Sequence, residues 1–148
     1  MHFIKGENKM NLKRVLFYIL SFTWGICVTL IGLIIILFSI PFKKVHSYHG
    51  RLYAVWGKNW GGFSAGPFFV IGENCEGCNS HECGHGLQNI IFGPFMIFLV
   101  CIPSIVRYWY LELKYYRQGK VAPKPYDSIW FEHMATTWGK KYIETDRW

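Results

Sequence analysis

Residues 81–108 read HECGHGLQNIIFGPFMIFLVCIPSIVRY, a polar pentapeptide at the head of a long apolar run. How this stretch is laid out decides the fold. On a helix, residues four apart stand one above the other, so His81 and His85 can offer two imidazole nitrogens to one metal ion. Glu82 lies a step round the same turn, where a carboxylate can take a proton from an attacking water, the general-base role in H-E-x-x-H chemistry. Two histidines leave a zinc site one protein ligand short. Glu132 is the candidate third. It falls between Phe131, Ala135 and Trp138 on the apolar side of an expected helix, a costly place for a carboxylate without a cation.

Whether Glu132 can return to the histidines depends on the apolar run. Residues 87–107 are long and apolar enough to be read as a membrane crossing. A full crossing would put about 30 Å of hydrocarbon between His81 and whatever follows, and nothing after residue 107 is apolar enough to come back. Gly93-Pro94 and Ile102-Pro103-Ser104 interrupt the run, and proline removes a backbone hydrogen bond and clashes with the preceding turn. Two expectations are therefore coupled. If Glu132 is a ligand, residues 87–107 form a re-entrant or protein-buried helical hairpin, bent near its prolines.

Competing uses of the pentapeptide are structural. Composition alone produces such a pattern in about one chain of this length in a hundred, so its surroundings must carry the weight. Asn79 and Ser80 are good helix N-caps, and Asn79-x-x-Glu82 resembles a capping box, which would occupy Glu82 structurally. A capped helix explains neither histidine. Nor does it explain Gly84 and Gly86, each costing about 1 kcal/mol against Ala in a helix interior unless something packs against the backbone there. Gln88 continues the His81 and His85 face.

Towards the N-terminus, residues 15–42 are nearly free of charge. These 28 residues exceed the roughly 20 needed to cross a bilayer and predict one long, tilted transmembrane helix. The run is far longer than a signal-peptide core and no small-residue cleavage site follows, so the anchor is expected to stay. Arg51–Trp56 and Phe63–Ile71 have the composition of strands, set off by glycines; one is expected as an edge beside the metal, open to backbone pairing by a substrate. Gly62-Phe63-Ser64-Ala65-Gly66 matches G-x-S-x-G, without the sheet pattern or triad order of a serine hydrolase. Downstream, residues 107–118 interleave Tyr and Trp with charge, as a helix at headgroup level does. Residues 126–143 predict a last amphipathic helix capped by Asp127 or Ser128.

The expected fold is thus an α+β membrane protein. An N-terminal tail and transmembrane anchor (1–42) precede a membrane-associated domain (43–148), which holds a short β-hairpin or small sheet, the H-E-x-x-H helix leading into the bent hairpin, and the C-terminal amphipathic helix.

The net charge of +7 is spread over three regions and no nucleic-acid-binding motif accompanies it, so the expected partner is an anionic lipid bilayer and not a nucleic acid. Four basic residues precede the first apolar run and four (Lys43, Lys44, Arg51 and Lys58) follow it, a tie under the positive-inside rule. Cys75, Cys78 and Cys83 stand beside the histidines and offer a rival structural zinc knuckle, which would have no open position for water. Cys75 and Cys78 could equally form a disulfide or remain free thiols.

The combination His81-Glu82-x-Gly84-His85-x-x-Gln88, Gly93-Pro94, Ile102-Pro103-Ser104 and Trp130-Phe131-Glu132-x-x-Ala135 resembles a group of small, mostly uncharacterised bacterial membrane proteins with an HExGHxxQ, GP, IPS and WxExxA pattern. More distantly it is similar to gluzincin-type zinc metallopeptidases, whose third ligand is a glutamate on a later helix. The resemblance covers about residues 60–140. It implies Zn2+ held by His81, His85 and Glu132 with Glu82 as the base, and an inner-membrane location; it implies no substrate, and a peptide or membrane-protein substrate is the expectation of the hydrolase reading alone. Gln88 is a candidate supporting residue, and His133 and Tyr126 are candidates for stabilising an oxyanion. The alternative is a non-enzymatic membrane subunit or scaffold built on the Cys/His knuckle.

Overall fold

The computed structural model describes residues 12–75 and 77–145. The first apolar run is not one helix. It breaks at Thr23-Trp24-Gly25 into α1 (Leu12–Phe22) and α2 (Ile26–Ser39), bent by 97° to one another. Polar side chains explain the break. Thr23 donates back to the Ile19 carbonyl at 2.7 Å and Thr29 to the Ser21 carbonyl at 2.8 Å, a form of back-bonding that bends helices. Asn89 then donates to the Gly25 carbonyl, and a Cβ at Gly25 would collide with the Asn89 side chain. The expectation of one tilted helix over 15–42 is corrected accordingly: among the described residues no single helix is long and apolar enough to cross a membrane.

Four strands follow, β1 (Val45–Tyr48), β2 (Arg51–Lys58), β3 (Gly62–Ala65) and β4 (Phe68–Glu73), in one mixed sheet of order β1-β2-β4-β3. β1 and β2 form an antiparallel hairpin, as do β3 and β4, while β2 joins β4 in parallel. His49 and Gly50, both at positive φ, make the two-residue turn whose twist suits a hairpin. The run 63–71 is two strands instead of one because Gly66 (φ +70°) and Pro67 turn the chain inside it. α2 lies along this sheet: Gly32 abuts Ala65 and Phe68, Ile36 packs with Ala54 and Val70, and Trp56 donates to Ser39 Oγ at 2.8 Å.

α3 (Cys78–Phe92) opens after Gly77 (φ +75°), with no side chain capping it. The capping box expected from Asn79 and Glu82 does not form, which leaves the Glu82 carboxylate for other work. A 3-10 turn at Gly93–Phe95 and a π-helical turn at Ile97–Cys101 reverse the chain into α4 (Ile102–Lys114). The helical stretches 78–95 and 97–118 are bent by 118°, so the second apolar run doubles back, as the coupled expectation requires. Pro103 does not interrupt it; it sits in the first turn of α4, where its missing N–H costs least. α4 therefore runs unbroken through Arg107, and 107–118 is no separate helix.

The last helix begins later than expected. Tyr126–Ser128 is a 3-10 turn, Ile129 is extended, and α5 (Trp130–Trp138) runs on into a π-helical turn at Gly139–Ile143. Ser128 cannot cap it because its hydroxyl accepts from Arg107 at 2.9 Å. α5 crosses α3 at backbone contact. A Cβ at Gly84 would strike the Ala135 carbonyl, and one at Gly139 the Ser80 carbonyl; these glycines give up helix propensity to let two backbones touch. One core joins α1, the sheet and α3 through Phe17, Phe69, Cys83 and Leu87, and a second lies around Met96, Val100 and Phe131. The architecture is α+β, with five helices and a small mixed four-stranded sheet.

Candidate metal centre

The close crossing of α3 and α5 brings Glu132 to the two histidines. Glu132 Oε2 lies 3.1 Å from His81 Nε2 and 3.1 Å from His85 Nε2. Among the described residues these three form the one group of His, Cys or carboxylate side chains whose ligand atoms converge, all within 4.8 Å of one another. Zinc bonds of about 2.0–2.2 Å at a tetrahedral angle would hold ligand atoms about 3.3 Å apart. The two spacings from Glu132 to the imidazoles, 3.1 Å each, are close to that.

The hydrogen-bond pattern supports a cation more strongly than the spacing does. Gln88 Nε2 donates to the Phe131 carbonyl at 2.7 Å, which turns Gln88 Oε1 toward His85 Nδ1, also at 2.7 Å. An amide oxygen only accepts, so Nδ1 carries the proton and the Nε2 of a neutral His85 presents a lone pair. That lone pair faces a carboxylate oxygen. A positive charge between these two atoms holds them together, either a proton on Nε2 that pairs the ring with Glu132 or a divalent metal ion. His81 Nδ1 is similarly engaged, 2.9 Å from Thr136 Oγ1, so both rings are oriented from behind. The donor set, two imidazoles and a carboxylate, suits zinc.

Glu132 has no solvent exposure. Ser104 donates to its Oε1 at 2.5 Å and Tyr126 to the same oxygen at 3.2 Å, leaving Oε2 for the histidine side. Burial by itself would raise its pKa, but the two imidazoles and Ser104 more than offset this and hold the carboxyl below its usual range. The same burial, with the neighbouring Glu132 charge, pushes the Tyr126 hydroxyl up, keeping it a proton donor. Arg107 secures the turn that carries Tyr126, donating to the Tyr126, Pro125 and Ser128 oxygens at 2.8 to 2.9 Å.

Glu82 stands on the other side of the centre. It is 5% exposed and, among the described residues, no side chain or backbone group donates to it. Burial pushes its pKa up to about 8, against the lowering effect of His81. Its carboxylate occupies a hollow at Gly62, where any Cβ would collide with it. Gly62 and Glu82 both line a cavity of about 530 Å³ that also receives His81, His85, Ser104 and Glu132. β3 forms one wall of that cavity and pairs with β4 alone among the described strands; its Gly62 and Phe63 are part-exposed, whereas Ser64 and Ala65 are buried.

The remaining candidates separate cleanly. Tyr126 and Gln88 belong to the centre, Tyr126 as an anchor of Glu132 and Gln88 as the residue that orients His85. His133 does not: it is exposed on the far side of α5 and is not among the cavity-lining residues, because a residue next to Glu132 on a helix points about 100° away. The three cysteines do not converge with the histidines. Cys75 and Cys78 are joined in a disulfide, and Cys83 is buried in the core with Phe17, where burial pushes its thiol up to about 12. Ser64 is likewise no nucleophile elbow, being a β3 residue whose buried Oγ has no partner.

Ser104, Thr136 and Arg107 contribute without having been singled out in the sequence. Two leave a trace there: Ser104 is a hydroxyl inside an apolar run, and Thr136 lies four residues after Glu132 on the same helix face. Gln88 offers a test of the orienting role. Gln88→Leu removes the acceptor behind His85 and is expected to weaken zinc affinity about 10- to 100-fold, measured by competition with a chromophoric chelator. Unchanged affinity would mean that His85 needs no such support.

No protein-family model, curated protein or solved structure matches the chain.

Proposed function

We propose that this chain is a membrane-seated, zinc-dependent hydrolase of peptide bonds. The observation that carries the proposal is the pair of imidazole Nε2 atoms set against the buried Glu132 Oε2, three converging ligand atoms that one metal ion could bridge. His81, His85 and Glu132 would hold it. Bound there, zinc supplies a Lewis acid that polarises a carbonyl, lowers the pKa of water, and favours the ionised form of nearby Glu82.

Everything else is done by the chain. Glu82, to which no group among the described residues donates a hydrogen bond, takes the proton from the attacking water and returns it to the leaving amine. The open edge of β3 binds an extended polypeptide by backbone pairing, with Gly61 and Gly62 keeping the approach to Glu82 clear. Ser104 and Tyr126 hold Glu132 in place and take no proton themselves. The membrane seat is supported by the apolar outer faces of both bent helix pairs and by the net positive charge.

Purified full-length protein in detergent is expected to contain close to one zinc per chain by elemental analysis. It should cleave an unstructured protein substrate, lose that activity to a chelator, and regain it on adding zinc. A preparation that is folded and metal-free as isolated, and that takes up no zinc, sinks the proposal.

A further inference from the structure

We propose that the protein enters one leaflet only of an anionic bilayer, so that its polar segments among the described residues all lie on one face of the membrane. This rests on the membrane seat stated above, and it concerns how the chain sits there. Hydropathy alone suggests one or two crossings. The tertiary contacts point to none.

α1 and α3 run side by side in the same direction. Phe17, midway along α1, shares a cluster with Cys83 and Leu87, and Gly25, just past the end of α1, meets Asn89 further along α3. At the tips, Trp24 Nε1 donates to the Ile91 carbonyl at 3.3 Å and its ring covers Gly93. Both bends thus occur at one level. The tips are apolar and uncovered, with Phe95 60% and Phe98 69% exposed.

The return arm passes the metal centre within its first turn and runs on to Lys114. His85 on α3 and Ser104 on α4 both bind Glu132. His85 lies eleven residues before Met96 and Ser104 eight residues after it. At about 1.5 Å of rise per residue the tip projects roughly 12–16 Å beyond the centre, about half a hydrocarbon core.

α2 cannot cross either, because the sheet is laid along it. Val28, Gly32, Ile36 and Ser39 meet β3, β4 and β2 in turn. Were α2 upright in lipid, the sheet would be in lipid as well, with the outer edge of β3 unpaired among the described strands and the exposed His46 and Ser47 of β1 facing hydrocarbon. A bilayer does not tolerate open sheet edges. Laid flat, α2 keeps the sheet in water and turns Ile34, Leu37 and Phe38, all more than half exposed, toward the acyl chains.

The flanks match headgroups. Lys44 stacks on Trp56 beside Phe38 and Phe42 at the end of α2. Lys114 and Arg117 stand with Tyr110 and Trp109 at the end of α4. Aromatic and basic residues together are the composition of an interface, and the bends themselves carry no charge.

Sealed right-side-out and inverted vesicles from cells making the full-length protein provide the test. A membrane-impermeant amine reagent is applied, and modification of Lys58 and Lys124, both exposed, is read by mass spectrometry. Both are expected to react in one vesicle orientation and to be lost from the modified set in the other, with both reacting once detergent opens the vesicles. Reaction of Lys58 from one face and Lys124 from the opposite face overturns the single-leaflet arrangement and leaves the membrane seat standing. Failure of both to react from either face in sealed vesicles also overturns it. Release of the protein by an alkaline wash removes the membrane seat as well. None of these results bears on the metal, so they stay separable from the hydrolase assignment.

Discussion

Replacing Glu82 by Gln is expected to leave a folded protein that binds zinc as the parent does and hydrolyses its substrate about 100- to 10,000-fold more slowly, the usual contribution of a positioned general base. The amide has the size of the carboxylate and fits the same hollow against Gly62, but it cannot accept and release a proton. Nothing among the described residues uses Glu82 as an anchor, so its loss as a carboxylate dismantles no network. The measurement is kcat/KM on one peptide substrate alongside metal stoichiometry. Undiminished turnover with intact zinc would remove Glu82 from the chemistry and send the search for a base elsewhere in the cavity.

Metal content is expected to collapse when Glu132 is changed. The residue is fully buried and its two oxygens do different jobs: Oε1 is tied to Ser104 and Tyr126, while Oε2 faces both imidazoles. Glu132→Ala removes both functions. It should abolish stoichiometric zinc and also lower stability, because two half-buried hydroxyls lose this acceptor at about 0.5–1.5 kcal/mol each. Glu132→Gln separates the effects. Its amide oxygen can still accept from Ser104 and Tyr126, whereas the charge is gone; zinc affinity should fall by more than the 10- to 100-fold expected for an outer residue such as Gln88. Wild-type zinc affinity in Glu132→Gln, in a protein with an unchanged thermal unfolding midpoint, would show that the carboxylate is no ligand.

Both expectations depend on contacts that local pattern records unevenly. His81, Glu82, His85 and Gln88 share a helix face whatever the rest of the chain does, since a period of 3.6 residues sets it. The glycines at 84 and 86 announce a backbone approach, and Ala135 and Gly66 turn out to make it. The long run at 15–42 misleads because hydropathy averages over the few groups that break it: Thr23, Gly25 and Thr29 are individually unremarkable in an apolar helix. The break is stabilised by Asn89, more than sixty residues away. Likewise His133 and Glu132 look equivalent in the chain, and a single helical step separates a buried ligand candidate from an exposed imidazole.

By itself, then, the order of residues determined which side chains share a helix face, that Glu132 falls on the apolar side of the last helix, and that residues 87–107 had to fold back if that carboxylate was to meet the histidines. Periodicity and local sterics act within an element, so they are written in the chain. Only the tertiary structure decided that α5 crosses α3 at backbone contact, that Ser104, Thr136 and Gln88 hold the centre from behind, and that α2 lies along the sheet. Those depend on which faces meet, and an apolar stripe fits protein or lipid equally well until a specific polar contact selects its partner.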